Sequence, residues 1–339
     1  MGSGISLIRE HRAWGERSTM LSRVADSLYW MSRYLERAEN TVRLLDVTMG
    51  LMLDPGGANA EQRWQKMTAA LGRPVGIEWN GSLEAMARKL VFDLVDPSSV
   101  TFCVSAAREN ARQVREEIST EQWQRLNRLF HQIHSPNAQA QYATNASDML
   151  ASVVDGIHLF QGVGDSTMIH GQGWQFIRLG RSLERAYATA TLLEVYQSEL
   201  FHAHERESSG YQYLELVGLL RCCTAFEAYC QVYTADLSPE RILEFLVLNR
   251  DFPHAIRYCV DNIRTAIESI QRAGGRHSPN EVFAGVGKLH AMLGYTTIRE
   301  ILAGDAAAFL HNIREQCLLI HELVYRNYVH YSIQSALAV

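Results

Sequence analysis

Residues 33–47 and 181–195 are near-copies of one another, and this repetition constrains the fold more than any other feature of the chain. The first segment runs Arg33-Tyr34-Leu35-Glu36-Arg37-Ala38, then Thr41, Leu44 and Leu45. The second runs Arg181-Ser182-Leu183-Glu184-Arg185-Ala186, then Thr189, Leu192 and Leu193, each residue 148 positions further on. Around the first copy, Leu28, Met31, Leu35, Ala38, Val42, Leu45 and Met49 follow at alternating steps of three and four. That is the spacing of one face of a bundled helix. Phe176, Leu179, Leu183, Ala186, Ala190 and Leu193 set up the same stripe in the second copy. A helix with such a stripe is stable only when packed among others.

The correspondence extends past these helices. Pro97-Ser98-Ser99-Val100 with Phe102-Cys103-Val104 matches Pro253-His254-Ala255-Ile256 with Tyr258-Cys259-Val260, at an offset of 156. Proline suits a helix entrance, where its missing N–H has no partner to lose. Ser119 followed by Gln122 and Ser278-Pro279 followed by Glu281 read as further helix starts. Only Val75–Trp79 hints at a strand. These signals predict an all-α helical bundle of roughly ten helices, built from two pseudo-repeated halves. The halves fall at about 20–131 and 165–339, with a linker at about 132–147, within a single domain over 20–339. Residues 1–19 lack the helical pattern and read as a disordered, non-native extension, with Met20 as the natural start.

Composition narrows the functional classes. The formal net charge is −5, which gives no pull toward nucleic acid or an anionic membrane surface. No apolar run is long enough to span a bilayer and no leader is apparent. The six cysteines form no C-x-x-C pair and sit in apolar helical contexts, as expected of reduced thiols in a cytoplasmic protein. Lysine occurs only at Lys66, Lys89 and Lys288, so nearly every basic residue is arginine. Arginine suits fixed ion pairs with carboxylates or the gripping of anionic ligands; the bias also follows from a GC-rich genome.

The polar residues of the repeated helices are the main candidates. Glu36, Asn40 and Arg43 share one helix face. A second set, Arg108, Glu109, Asn110 and Arg112, repeats the Glu-Asn-Arg combination. One reading is a polar pocket that grips an anionic or amide ligand. The other is a buried ion-pair lattice that fixes the register of the two halves. Arg33, Arg181, Glu184 and Arg185, kept in both copies, suit the structural role. Arg37, Asn40, Arg43, Arg108, Asn110 and Arg112 are the candidate ligand-binding residues, and Glu36 and Glu109 the candidate acid/base groups if the chain is an enzyme. Asn40 and Arg43 carry most weight, because the second copy has Ala188 and Thr191 there. Glu199 and His202 have the spacing of a helical metal-ligand pair but lack a second pair, so no metal site and no cofactor is expected.

Several segments resemble the bacterial alpha-E family. They are Met20-Leu21-Ser22-Arg23-Val24-Ala25 through Tyr29-Trp30 to Glu36-Arg37-Ala38-Glu39-Asn40, the stretch Ala107-Arg108-Glu109-Asn110-Ala111-Arg112, Gln122-Trp123 with Asn127, and Gly173-Trp174 through Glu184-Arg185-Ala186. The resemblance implies an all-helical cytoplasmic protein of unestablished activity. It also implies partners, namely circularly permuted ATP-grasp proteins and transglutaminase-like proteases, beside which such proteins are encoded. The expectation is then an accessory or substrate-presenting partner of an ATP-grasp-type amide or peptide ligase. A pathway enzyme acting on a small peptide or amino-acid derivative through an Arg/Glu/Asn pocket is the alternative, and a helical metal-binding protein a weaker one. A homo-oligomer stays open.

Overall fold

The computed structural model describes residues 20, 22–52, 59–72, 79–197, 210–234, 236–274 and 281–329. Residues 1–19, the segment 75–78, Glu199, His202 and the Ser278-Pro279 start lie outside them. All regular structure among the described residues is helical. Fifteen α-helices are present among the described residues, rather than roughly ten. Periodicity shows that a segment is helical but not where turns cut it, and several segments are cut into pieces of six to eleven residues by their own caps. The stretch 132–147 illustrates this: it holds a seven-residue helix, followed at Asn145 by the side-chain cap of the next one.

The two repeated segments form the centre. Helix α1 (Ser22–Leu51) and α8 (Gln172–Val195) pack against each other along their length. The predicted stripe of α1 is buried from Leu28 to Leu45, and that of α8 from Phe176 to Leu193. Both helices bury far more than one stripe, including Ser32, Arg33, Glu36, Glu39 and Glu184. A helix buried on several faces lies inside a bundle rather than on its surface. Where the two cross, Ser32 meets Gly180, the positions that match in the repeat. A Cβ on Gly180 would overlap both Ser32 Oγ and the Tyr29 carbonyl oxygen. Glycine here lets the helix axes approach closely.

The remaining helices cover this pair. Helix α4 (Val100–Gln113) lies on α1, and α12 (Ile256–Ala273) lies on α8. Helix α7 (Ala146–Thr167) packs on α1, and α15 (Ala306–Val324) on α8. Helix α5 (Thr120–Ile133) fills between α4 and α7, and α13 (Glu281–Tyr295) between α12 and α15. Helix α2 (Ala60–Ala70) crosses to α8 while α9 (Gly210–Cys222) crosses to α1. The two are tied by Glu215, which takes Arg63 at 2.7 Å and Lys66 at 2.8 Å.

The same local hydrogen bonds recur before α4 and α12. Asp93 Oδ1 accepts from the backbone of Val95 and Asp96, and Asn249 Oδ1 accepts from that of Asp251 and Phe252. Such side chains fold the chain back into an Asx turn. Cys103 donates to the Pro97 carbonyl and Cys259 to that of Pro253. Thr41 of α1 donates to the Ser98 carbonyl at 3.0 Å, and Thr189 of α8 to the His254 carbonyl at 3.2 Å. Each turn is thus hooked onto a central helix, which brings Ser98 and His254 to the α1–α8 seam. The cysteines at 103, 222, 223, 259 and 317 are buried free thiols. No described helix is long and apolar enough to cross a membrane.

Candidate functional site

The seam is held by crossed ion pairs between Glu36-Arg37 and Glu184-Arg185. Glu184 is 5% exposed and takes Arg33 Nε on one oxygen at 2.6 Å and Arg37 Nε on the other at 2.7 Å. Glu36 takes Arg185 on both oxygens, at 2.5 and 2.9 Å. Burial pushes the Glu184 carboxyl up, but the two guanidinium groups outweigh it and hold it at about 2. Burial also pushes Glu36 up, against the pull of Arg185. Both carboxylates are committed to arginine and have little freedom to move a proton.

Arg33 continues inward. Its Nη1 donates to Tyr29 Oη at 3.1 Å and to His321 Nδ1 at 2.8 Å. Arginine only donates, so His321 Nδ1 carries a lone pair and the ring is neutral with its proton on Nε2. Burial, then the Arg33 charge, depresses His321 to about 4. The same burial lifts Tyr29 to about 12. An unfolded histidine takes its proton near pH 6.5, whereas folded His321 refuses it until about 4. This group therefore costs stability progressively as pH falls through that window. His321→Gln, which keeps an acceptor for Arg33, is expected to lose less stability than the parent between pH 6.5 and 4. Urea denaturation across that range checks it; parallel curves would contradict the assignment.

Two cavities flank the crossed pairs. The first, about 90 Å³, is lined by Arg37, Asn40, Gly72, Ser98, Glu184 and Tyr187 among others. Arg37 spends only Nε on Glu184, and its terminal nitrogens have no hydrogen-bond partner among the described residues. The Asn40 amide, on the same wall, likewise has no partner among them. The second cavity, about 10 Å³, is lined by Glu36, Glu39, Arg43, Arg185, Cys223 and His254. Asn40 and Ala188 line both. The walls correspond through the repeat. Arg185 stands for Arg37, Glu36 for Glu184, His254 for Ser98 and Glu39 for Tyr187. Four arginines of the two cavities, 33, 37, 43 and 185, meet three carboxylates, 36, 39 and 184. One positive charge is left over, before His158 is counted, in a chain whose net charge is −5.

Glu39 is the most asymmetric member. Its Oε1 takes Arg43 at 2.7 Å and His158 at 3.0 Å, while Oε2 is buried without a partner among the described residues. Burial opposes ionisation, but the His158 hydrogen bond and the charges of Arg185 and Arg43 pull its carboxyl well below the ordinary range. The Glu39 hydrogen bond in turn raises His158. Burial, then Arg185 and Arg43, drives His254 well below its usual value, so its ring is neutral. Arg181 does not repeat the role of Arg33. It lines a separate cavity of about 20 Å³ with Gln122 and Trp174.

The α4 residues do not join this site. Arg108 donates to Asn127 at 2.6 Å and lies over the rings of Phe130 and Trp123. Glu109 and Arg112 form an exposed pair at 2.6 Å. Asn110 donates to the Ala106 carbonyl of its own helix at 2.8 Å. Helix α4 turns Val100, Cys103, Val104, Ala107 and Ala111 into the core, which leaves those four pointing elsewhere. The structure thus brings Glu36, Arg37, Asn40 and Arg43 together and leaves Arg108, Glu109, Asn110 and Arg112 apart. Tyr29, Ser98, His158, Tyr187, His254 and His321 join the site without having been singled out in the sequence. Ser98 and His254 carried a signal, as a mismatch inside a closely matching turn. Among the described residues no group of three His, Cys, Asp or Glu side chains is placed to hold a metal ion.

Residues 20–329 match the model of the Alpha-E family, described as "a predicted alpha-helical domain with a conserved ER motif". The chain is 24% identical over 280 residues to uncharacterised proteins of Mycobacterium bovis and of Mycobacterium tuberculosis strain CDC 1551. It is 23% identical over 280 residues to another from strain H37Rv. Each match covers 77% of this chain but only 31% of the relative, so the chain spans about a third of their length. No solved structure matches it.

Proposed function

We propose that this chain, which belongs to the Alpha-E family, is a ligand-holding partner of an ATP-grasp-type amide or peptide ligase. It grips a carboxylate-bearing substrate at the α1–α8 seam and presents it for ligation. One observation carries the binding half of this reading: Arg37 keeps its terminal nitrogens unpaired beside an equally unpaired Asn40, on the wall of a polar cavity. Guanidinium nitrogens fixed through Nε and open at the far end suit a carboxylate. The excess of positive charge at the seam favours the same ligand. The ligase half is supported by the resemblance of the motif segments to proteins encoded beside ATP-grasp proteins. The greater length of the matched relatives is compatible with a module that works beside others.

Holding rather than reacting fits the first cavity, where Glu184 is locked as an anion between two arginines. A second reading, a pathway enzyme acting on a small peptide or amino-acid derivative, draws on the neutral His254 beside Glu39. There His254, and not Glu36 or Glu109, would move the proton. We also infer that α1 with α4, and α8 with α12, are copies of one ancestral unit. The matching Asx turns, cysteine contacts and threonine hooks support this.

Arg37→Gln is expected to weaken acetate binding by about tenfold or more, since hydrogen bonds to charged groups contribute about 1.5–3 kcal/mol. Calorimetric titration checks it. The partner half is tested by co-purification with an ATP-grasp protein, and by ligation assays with and without this chain. Equal rates and no complex would remove it. Turnover by the chain alone would favour the enzyme.

A further inference from the structure

We infer that the two cavities act as one site for an N-acylated amino acid or the C-terminal residue of a peptide, its carboxylate on Arg37 and its amide N–H reaching Glu39. This rests on the carboxylate-holding reading above and names the ligand class. The second cavity holds an acceptor without a donor. Glu39 is 1% exposed, and its buried Oε2 accepts nothing from the described residues. The His254 ring has no hydrogen-bond partner among the described residues. An unpaired buried acceptor is costly and is relieved by a ligand that donates.

The charge around it selects the kind of donor. Arg43 and Arg185 flank the cavity and help keep His254 neutral. Glu36 and Glu39 balance these charges, so the cavity has no surplus negative charge to offset the desolvation of an ammonium, and a free amino acid would bring the wrong group. A neutral N–H loses far less on burial. The volume of about 10 Å³ suits one water-sized group, and the larger first cavity takes the carboxylate.

The two cavities share part of their lining. Asn40 and Ala188 line both and occupy matching positions of the repeat. Alanine has removed one half of the wall, and the remaining half is an unpartnered amide. A carboxamide both donates and accepts, so Asn40 can pair with a peptide group that reaches from one cavity to the other. In an N-acylated amino acid one carbon separates the carboxylate from the amide N–H.

Titration calorimetry on the full chain with acetate, glycine, glycolate and N-acetylglycine tests this. N-acetylglycine is expected to bind at least tenfold more tightly than each of the other three. Glu39→Gln, which puts an amide donor in place of the unpaired acceptor, is expected to abolish that advantage, and Ala188→Asn, which restores the wall, to do the same; acetate affinity is measured on each variant, so that the advantage is read as the ratio of the two affinities. Retention of the parent's helical circular dichroism shows that a variant folds. Acetate binding without the N-acetylglycine advantage overturns the inference and leaves the carboxylate-holding reading standing. Equal binding of glycolate overturns the amide assignment. An advantage that survives both variants also overturns it. No binding of any probe overturns both.

Discussion

Glu184→Ala is expected to lower the unfolding free energy by about 3–5 kcal/mol, the cost of stranding buried charge by removing its partner. Glu184 answers two guanidinium groups at once, Arg33 at 2.6 Å and Arg37 at 2.7 Å. Arg33 keeps Tyr29 and His321 after the substitution, but neither carries negative charge. Arg37 keeps no carboxylate. Glu36→Ala strands only Arg185, so its effect is expected to be smaller. Urea denaturation of both variants at neutral pH measures the difference. A loss below about 1 kcal/mol for Glu184→Ala would show a solvated pair of little consequence. Because Glu184 is held at about 2, below its ordinary carboxyl value, its contribution is present above the unfolded pKa and lost as pH falls through the folded one.

Gly180→Ala is expected to be comparably damaging for a steric reason. The added Cβ would overlap Ser32 Oγ, which can swing away, and the Tyr29 carbonyl oxygen, which belongs to the α1 backbone and cannot. The two central helices must then separate. Overpacking of a tight core costs about 1–3 kcal/mol and sometimes more. Here it falls one turn from the Arg33–Glu184 contact, so the ion pairs stretch as well. Combining it with Ser32→Gly removes only the side-chain half of the clash and is expected to restore less than half of the lost stability. Full rescue would show that the backbone contact can relax.

How far the sequence foretold this follows from which signals are local. The stripes of α1 and α8 were legible because helical spacing is written in one stretch of chain. The reciprocal pairing of Glu36-Arg37 with Glu184-Arg185 was half legible: repetition marked the residues, but nothing in it says that each glutamate takes the other segment's arginine. The set at Arg108 to Arg112 looked like a second wall because it repeats the Glu-Asn-Arg combination. Its orientation is set by the apolar stripe of α4, which turns those side chains away from the seam. His321 and His158 arrive from α15 and α7 through tertiary packing alone. Ser98 and His254 are the instructive case, for the turns that carry them match closely while the residues at these two positions differ.

Calorimetric titration of the parent and of Arg37→Gln with acetate shows whether the seam binds a carboxylate as well as bracing the bundle. Saturable one-to-one binding to the parent is expected, weakened about tenfold or more in the variant. Equal affinity for the two proteins, or no binding to the parent, would contradict it.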